Sequence, residues 1–166
     1  MRREAKNKQS GRTMEIQRLI GRSLRSSINL NKLGDRSITV DCDVIQADGG
    51  TRTASITGGF VALCLALRSQ DDKGFSSTDA VKSFTGSVSL GKVDGEIVLD
   101  LDYEEDSNAE TDMNFIMNDE GNFIEIQGTA EKGSFSKEEL DQMTSLASEG
   151  IKSIIDIQKK SLNSYE

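Results

Sequence analysis

The chain has 166 residues, a formal net charge of −8, two cysteines and no histidine, proline or tryptophan. That length suits one domain, and the missing histidine excludes Ser–His–Asp and Cys–His catalysis and most zinc or iron centres. The longest uninterrupted apolar run, residues 60–67, is eight residues long, against the ~20 that span a bilayer.

The N-terminus is basic (Arg2, Arg3, Lys6, Lys8) with no apolar stretch after it, so no signal peptide is expected. Residues 1–36 carry a net charge of +7 and the rest of the chain −15, a polarity that points to a polyanion partner or to a solvated basic helix. From Met14 to Leu30 the apolar residues Ile16, Leu19, Ile20, Leu24 and Ile28 recur at helical spacing, with Thr13 as the expected N-cap. Arg18, Arg22 and Arg25 form a basic stripe on the same helix. Ile38, Val40, Cys42 and Val44 then alternate with polar residues, predicting a half-buried strand.

A tight turn, Ala47-Asp48-Gly49-Gly50-Thr51-Arg52, leads into a buried helix over 53–67, and 69–79 reads as a polar loop. A hairpin follows around Asp94-Gly95, with the return strand reaching Glu104. Residues 94–120 hold eleven acidic and no basic side chains, so the stretch after that strand is either a solvated face or a cation site. A second hairpin turns at Asp119-Glu120-Gly121-Asn122, and Ser136 and Glu139 form a capping box for a last amphipathic helix. The tail from Lys159 is polar and expected to fray. Cys42 and Cys64 read as small buried hydrophobes in a reducing, cytoplasmic setting. The expected architecture is an α+β domain over residues 1–159 with a polar tail at 160–166. Its sheet is mainly antiparallel with helices on one face, and looks short for two buried helices.

Three features carry chemistry. Gly49 and Gly50 permit close backbone approach, Thr51 adds a hydroxyl, and Arg52 a guanidinium at a helix N-terminus, a combination that suits phosphate. No P-loop or dinucleotide fingerprint is present, and a plain strand-to-helix turn fits the same residues. Asp106-Ser107-Asn108-Ala109-Glu110-Thr111-Asp112 offers oxygen ligands for Mg²⁺ or Mn²⁺. It departs from a calcium loop at Thr111 and Met117, and it also fits an acidic surface loop. Arg12, just before a helix start, is placed to turn toward an anion. Together, a phosphate pocket, a carboxylate pair and a basic surface point to phosphoryl transfer, which needs no histidine.

Four stretches taken in order resemble bacterial ribonuclease PH. They are Gly11-Arg12-Thr13-Met14-Glu15, Asp48-Gly49-Gly50-Thr51-Arg52-Thr53, Glu105-Asp106 through Asp112-Met113-Asn114, and Gln127-Gly128-Thr129-Ala130-Glu131. The resemblance implies a ribosomal protein S5 domain 2-like fold, here N-terminally truncated, and a phosphorolytic 3′→5′ exoribonuclease that trims transfer RNA precursors. In that activity inorganic phosphate is the co-substrate and Mg²⁺ the cofactor. It also implies that Arg12, Gly50, Thr51 and Arg52 hold phosphate, that Asp106 and Asp112 bind metal or assist proton transfer, and that Arg2 and Arg3 touch RNA. Assembly as a ring, a trimer of dimers, follows from the same likeness. The family's N-terminal strands are not found ahead of the first helix, so a complementing chain, or a catalytically inactive remnant that only binds RNA or sibling subunits, is the alternative.

Overall fold

The computed structural model describes residues 10–71 and 74–165. Helix α1 (Gly11–Ser26) starts at Ser10, whose hydroxyl accepts the Thr13 N–H at 3.1 Å. Ser10 therefore caps the helix, and Thr13 lies one turn inside it. The helix also stops four residues before the expected end. Beyond it the backbone turns to bond residues 80–82: Asn29 N–H donates to the Ala80 carbonyl and Lys82 N–H to the Ser27 carbonyl, each at 2.8 Å. These long-range bonds replace further helical ones, and a four-residue helix, α2 (Leu30–Leu33), follows.

Residues 36–43 alternate half-buried and exposed as a strand would, and Ile38 and Val40 pack on the core. The expected strand is nonetheless absent among the described residues, because the segment pairs with no ladder there. Alternation reports one buried face; a strand also needs a neighbour.

Helix α3 (Thr51–Arg68) is buried on most sides, through Ile56, Phe60, Leu63, Cys64 and Leu67. After it, Asp71 accepts the Ser77 N–H at 2.6 Å and its hydroxyl at 2.7 Å, bonds that hold the carboxyl below its ordinary range. They anchor a one-turn helix, α4 (Ser77–Ala80), inside what sequence alone reads as loop.

Strands β1 (Thr85–Val93), β2 (Glu96–Leu99), β3 (Thr111–Asn118) and β4 (Phe123–Ala130) form an antiparallel sheet in the order β2-β1-β3-β4. Asp94 and Gly95 take φ of 49° and 83°, both left-handed, as a two-residue hairpin turn demands. The return strand is shorter than expected. After Asp100 (φ 63°) the acidic residues form helix α5 (Tyr103–Asn108), closed by a capping box between Asp102 and Glu105. Carboxylates in a first helical turn are favoured by the helix dipole, so the dense acidic run finds a helical solution.

The α+β class holds, but the expectation of helices on one face is corrected. Even-numbered β1 residues and odd-numbered β3 residues (Val88, Leu90, Met113, Phe115, Met117) pack on α6 (Lys137–Asn163) through Met143, Ala147, Ile151 and Ile155. The opposite face meets α1 and α3, where Ile116 packs with Leu19 and Ile56. The period-two pattern of β1 hides this, because its second face carries Ser87 and Ser89 instead of apolar residues. The polar tail is corrected too: α6 continues to Asn163, and Leu162 is buried in the core around α3. The Arg68 guanidinium donates to the Leu162 carbonyl at 2.7 Å, and Gln158 Nε2 bridges the Thr57 and Thr85 carbonyls at 3.0 and 2.9 Å. Both cysteines are free. Burial raises the Cys64 thiol to about 11, so it is an inert core group.

Candidate phosphate and carboxylate site

Gly50 is the N-cap of α3 in a left-handed conformation, φ 68°, which frees the first amides of the helix toward its mouth. Its neighbour Gly49 is required for a different reason: a Cβ there would lie 1.9 Å from the Leu101 carbonyl oxygen. The strand-to-helix corner and the β2–α5 connection thus touch backbone to backbone. Asp48 fastens them, its Oδ1 accepting the Gly49 N–H at 2.9 Å and the Tyr103 N–H at 2.7 Å. That pair of bonds joins the helix bearing Arg52 to the helix bearing Asp106.

Asp112 projects from β3 on the α3 side of the sheet, and its Oδ2 lies 3.8 Å from an Arg52 guanidinium nitrogen. Arg52 and Asp112 are 32% and 23% exposed, so each can reach a ligand. Burial pushes the Asp112 carboxyl above its ordinary range. The Asp106 and Glu131 carboxylates push it the same way, and Arg52 opposes them. Asp106 is exposed on α5, near enough for its charge to be felt at Asp112.

Two cavities meet at Arg52. One, of about 420 Å³, is lined by Arg52, Asp112, Asn114, Gln127, Thr129 and Glu15 among others. The other, of about 1510 Å³, lies between α1, α3 and the extended 38–45 segment and is lined by Arg12, Thr51 and Arg52 together with many apolar side chains. Arg12, exposed on the first turn of α1, therefore shares a cavity with the phosphate candidates but not with the carboxylates. Thr51 opens α3, and its carbonyl accepts the Ser55 hydroxyl at 2.8 Å. Arg2 and Arg3 lie outside the described residues. In the basic stripe, Arg22 is engaged with Glu125 at 2.8 Å.

Sequence reasoning gave no role to Asp48, Asn114, Gln127 or Thr129. The signal was available for three of them: Asp112 and Asn114, and Gln127 and Thr129, are polar residues two apart on strands, on a face that packs against helices.

The residues fit a hard divalent cation. Asp106 and Asp112 repel one another, as the raised Asp112 carboxyl registers, and a cation would relieve that. Among the described residues no three acidic, histidine or cysteine side chains converge. Two carboxylates are within what Mg²⁺ accepts, since it commonly takes one or two together with water and phosphate oxygens.

Comparison with known proteins identifies the family. The model for the 3′ exoribonuclease family, domain 1, matches residues 1–68, and that for domain 2 matches residues 83–150. The chain belongs to this 3′ exoribonuclease family. Within it the chain is of the ribonuclease PH type. It is 54% identical over 158 residues to ribonuclease PH of Syntrophomonas wolfei, covering 95% of this chain and 66% of that protein. The chain thus spans just under two thirds of that relative's length. Among solved structures, the archaeal exosome core superposes with a TM-score of 0.68 at 17% identity, over 89% of this chain and 64% of that one. The exosome of Archaeoglobus fulgidus with RNA bound to the active site gives 0.61 at 15% identity, over 95% and 63%. These two establish the fold. No helix among the described residues is long and apolar enough to cross a membrane.

Proposed function

We propose that this chain carries the catalytic site of a phosphorolytic 3′→5′ exoribonuclease that shortens transfer RNA precursors in the cytoplasm. The observation that carries the reading is the Arg52 guanidinium, at a glycine-opened helix N-terminus, set 3.8 Å from Asp112. The α3 amides, Thr51 and Arg52 supply donors and positive charge for inorganic phosphate, with Arg12 approaching from α1.

Held there, a phosphate oxygen attacks the phosphorus of the last 3′ phosphodiester. A new P–O bond forms, the bond from that phosphorus to the 3′ oxygen of the preceding nucleotide breaks, and the leaving oxygen takes up a proton. The products are a nucleoside diphosphate and an RNA one residue shorter with a free 3′-hydroxyl. Asp112, 3.8 Å from the Arg52 guanidinium, stands where a carboxyl can pass a proton to the leaving oxygen. Mg²⁺ held by Asp106 and Asp112 would neutralise charge developing on the phosphoryl oxygens. Such a reaction is mainly positioning and electrostatics, which a site without histidine can supply.

The proposal includes partners. The cavity beside the unladdered 38–45 segment is broadly apolar and large enough for further strands, supplied by a complementing chain or by sibling subunits of a trimer-of-dimers ring. The test incubates the protein with a 3′-tailed RNA, with and without phosphate and Mg²⁺. Nucleoside diphosphate released only with both supports the reading. RNA retained without cleavage under all conditions overturns it in favour of a non-catalytic RNA-binding subunit.

A further inference from the structure

Helix α5 carries Asp106, yet none of the helix's own residues is buried. Apolar burial reaches this segment only at its flanks, through Leu101 before it and Ala109 after it. A helix without a buried face is not oriented by the core, so polar bonds to its two ends fix its direction. At the far end the Lys132 ammonium donates to the Asn108 carbonyl at 3.0 Å. At the near end the Tyr103 N–H, a first-turn donor with no acceptor inside the helix, donates to Asp48 Oδ1 at 2.7 Å. The capping box between Asp102 and Glu105 is internal to the turn and leaves its direction open.

Asp48 belongs to the other half of the site. It stands two residues before Gly50, the N-cap of α3, and the same Oδ1 accepts the Gly49 N–H at 2.9 Å. One exposed carboxylate oxygen thus joins the start of α3 to the start of α5 across 55 positions of the chain. Both bonds are charge-assisted, the stronger kind. By charge alone, a carboxylate beside the α3 mouth works against phosphate binding, so what Asp48 contributes there is geometric. Resting on the phosphorolysis reading for what each half binds, we propose that Asp48 is a positioning residue, whose Oδ1 sets Asp106 on α5 at working distance from Arg52 on α3. The anion half and the cation half are then held in one frame. The arrangement matters because a misplacement of about 1 Å can cost on the order of 100-fold in rate.

The test compares Asp48→Ala, which deletes the acceptor, with Asp48→Asn, which keeps a carbonyl oxygen and removes the charge. Tyr103 and Tyr165 are the only tyrosines, so ¹⁵N-tyrosine labelling gives two amide signals, with Tyr165 as internal control. In the alanine variant the Tyr103 amide should exchange with deuterated solvent about tenfold faster. Affinity for Mn²⁺ alone, read by EPR of the free ion, should fall about tenfold, as when a metal ligand loses its support. Turnover at saturating phosphate and Mg²⁺ should fall about tenfold or more, while the phosphate concentration for half-maximal diphosphate release stays put. That split is not what a general loss of stability gives, and asparagine should restore most of each loss. Should the alanine variant lose its melting transition, Asp48→Glu, equally charged but one methylene longer, is read in its place. Mn²⁺ affinity and turnover unchanged in a folded variant, or asparagine as impaired as alanine, overturns the proposal. So does a rise in half-maximal phosphate with turnover kept, which would make Asp48 part of the anion pocket. If the wild type releases no diphosphate, the phosphorolysis reading falls, and Asp48 is judged on Mn²⁺ affinity and Tyr103 exchange. Diphosphate release equal in wild type and alanine variant leaves that reading standing and sinks this one.

Discussion

Replacing Arg52 by Ala separates a binding role from a structural one. The guanidinium is about a third exposed and 3.8 Å from its nearest carboxylate oxygen, outside hydrogen-bond range. An exposed pair of that kind contributes about 0–1 kcal/mol to stability, so the melting temperature should scarcely move. Toward phosphate the same group offers charge-assisted hydrogen bonds worth about 1.5–3 kcal/mol. At ~1.4 kcal/mol per factor of ten, the variant should lose roughly 10- to 150-fold in turnover at limiting phosphate. The assay is chromatographic release of nucleoside diphosphate from a 3′-tailed RNA over a phosphate titration, with thermal melting alongside. Part of the loss should return at saturating phosphate. Unchanged turnover at limiting phosphate in a folded variant would refute the assignment of Arg52, and with it the site.

Two further substitutions test the frame around that residue. Asp112 has its carboxyl raised on folding, mainly by burial, so folding favours its protonated form. The stability it contributes is complete below the unfolded carboxyl's titration and is lost as pH rises through the folded value. Asp112→Asn should therefore raise the melting temperature at pH 7, show little gain at pH 3, and abolish turnover; equal gains at both pH values would contradict the burial argument. Gly49→Ala drives a Cβ to 1.9 Å from the Leu101 carbonyl oxygen, and since backbone must yield, a loss of about 1–3 kcal/mol or more is expected from urea unfolding. Turnover should fall too, because the Asp48 bond to Tyr103 N–H would be pulled out of register.

Residue types and their spacing were enough to set out the parts of this protein. The Asp94-Gly95 turn, the Ser136–Glu139 capping box and the glycine-opened start of α3 are local events, decided by dihedral preferences and by bonds three or four residues long. The candidate site was legible for the same reason: Gly50, Thr51 and Arg52 are contiguous, and Asp106 and Asp112 lie within seven residues. What neighbours decide was hidden. Ile38 to Val44 alternates like a strand but has no ladder among the described residues. The acidic run became helix α5 because Asp102 and Glu105 cap it, and the polar end of the chain stayed helical because Leu162 finds a place in the core.

Most of the candidate site's geometry belongs to that second kind. Arg52 and Asp112 are sixty residues apart in sequence, and only the packing of α3 over β3 sets them face to face. Asn114 reads as one more polar residue on a strand until the sheet buries it in the wall of a cavity beside Asp112. Periodicity tells which side chains leave water, but hydrogen-bond partners and charges across a cavity depend on distances that chain folding alone determines.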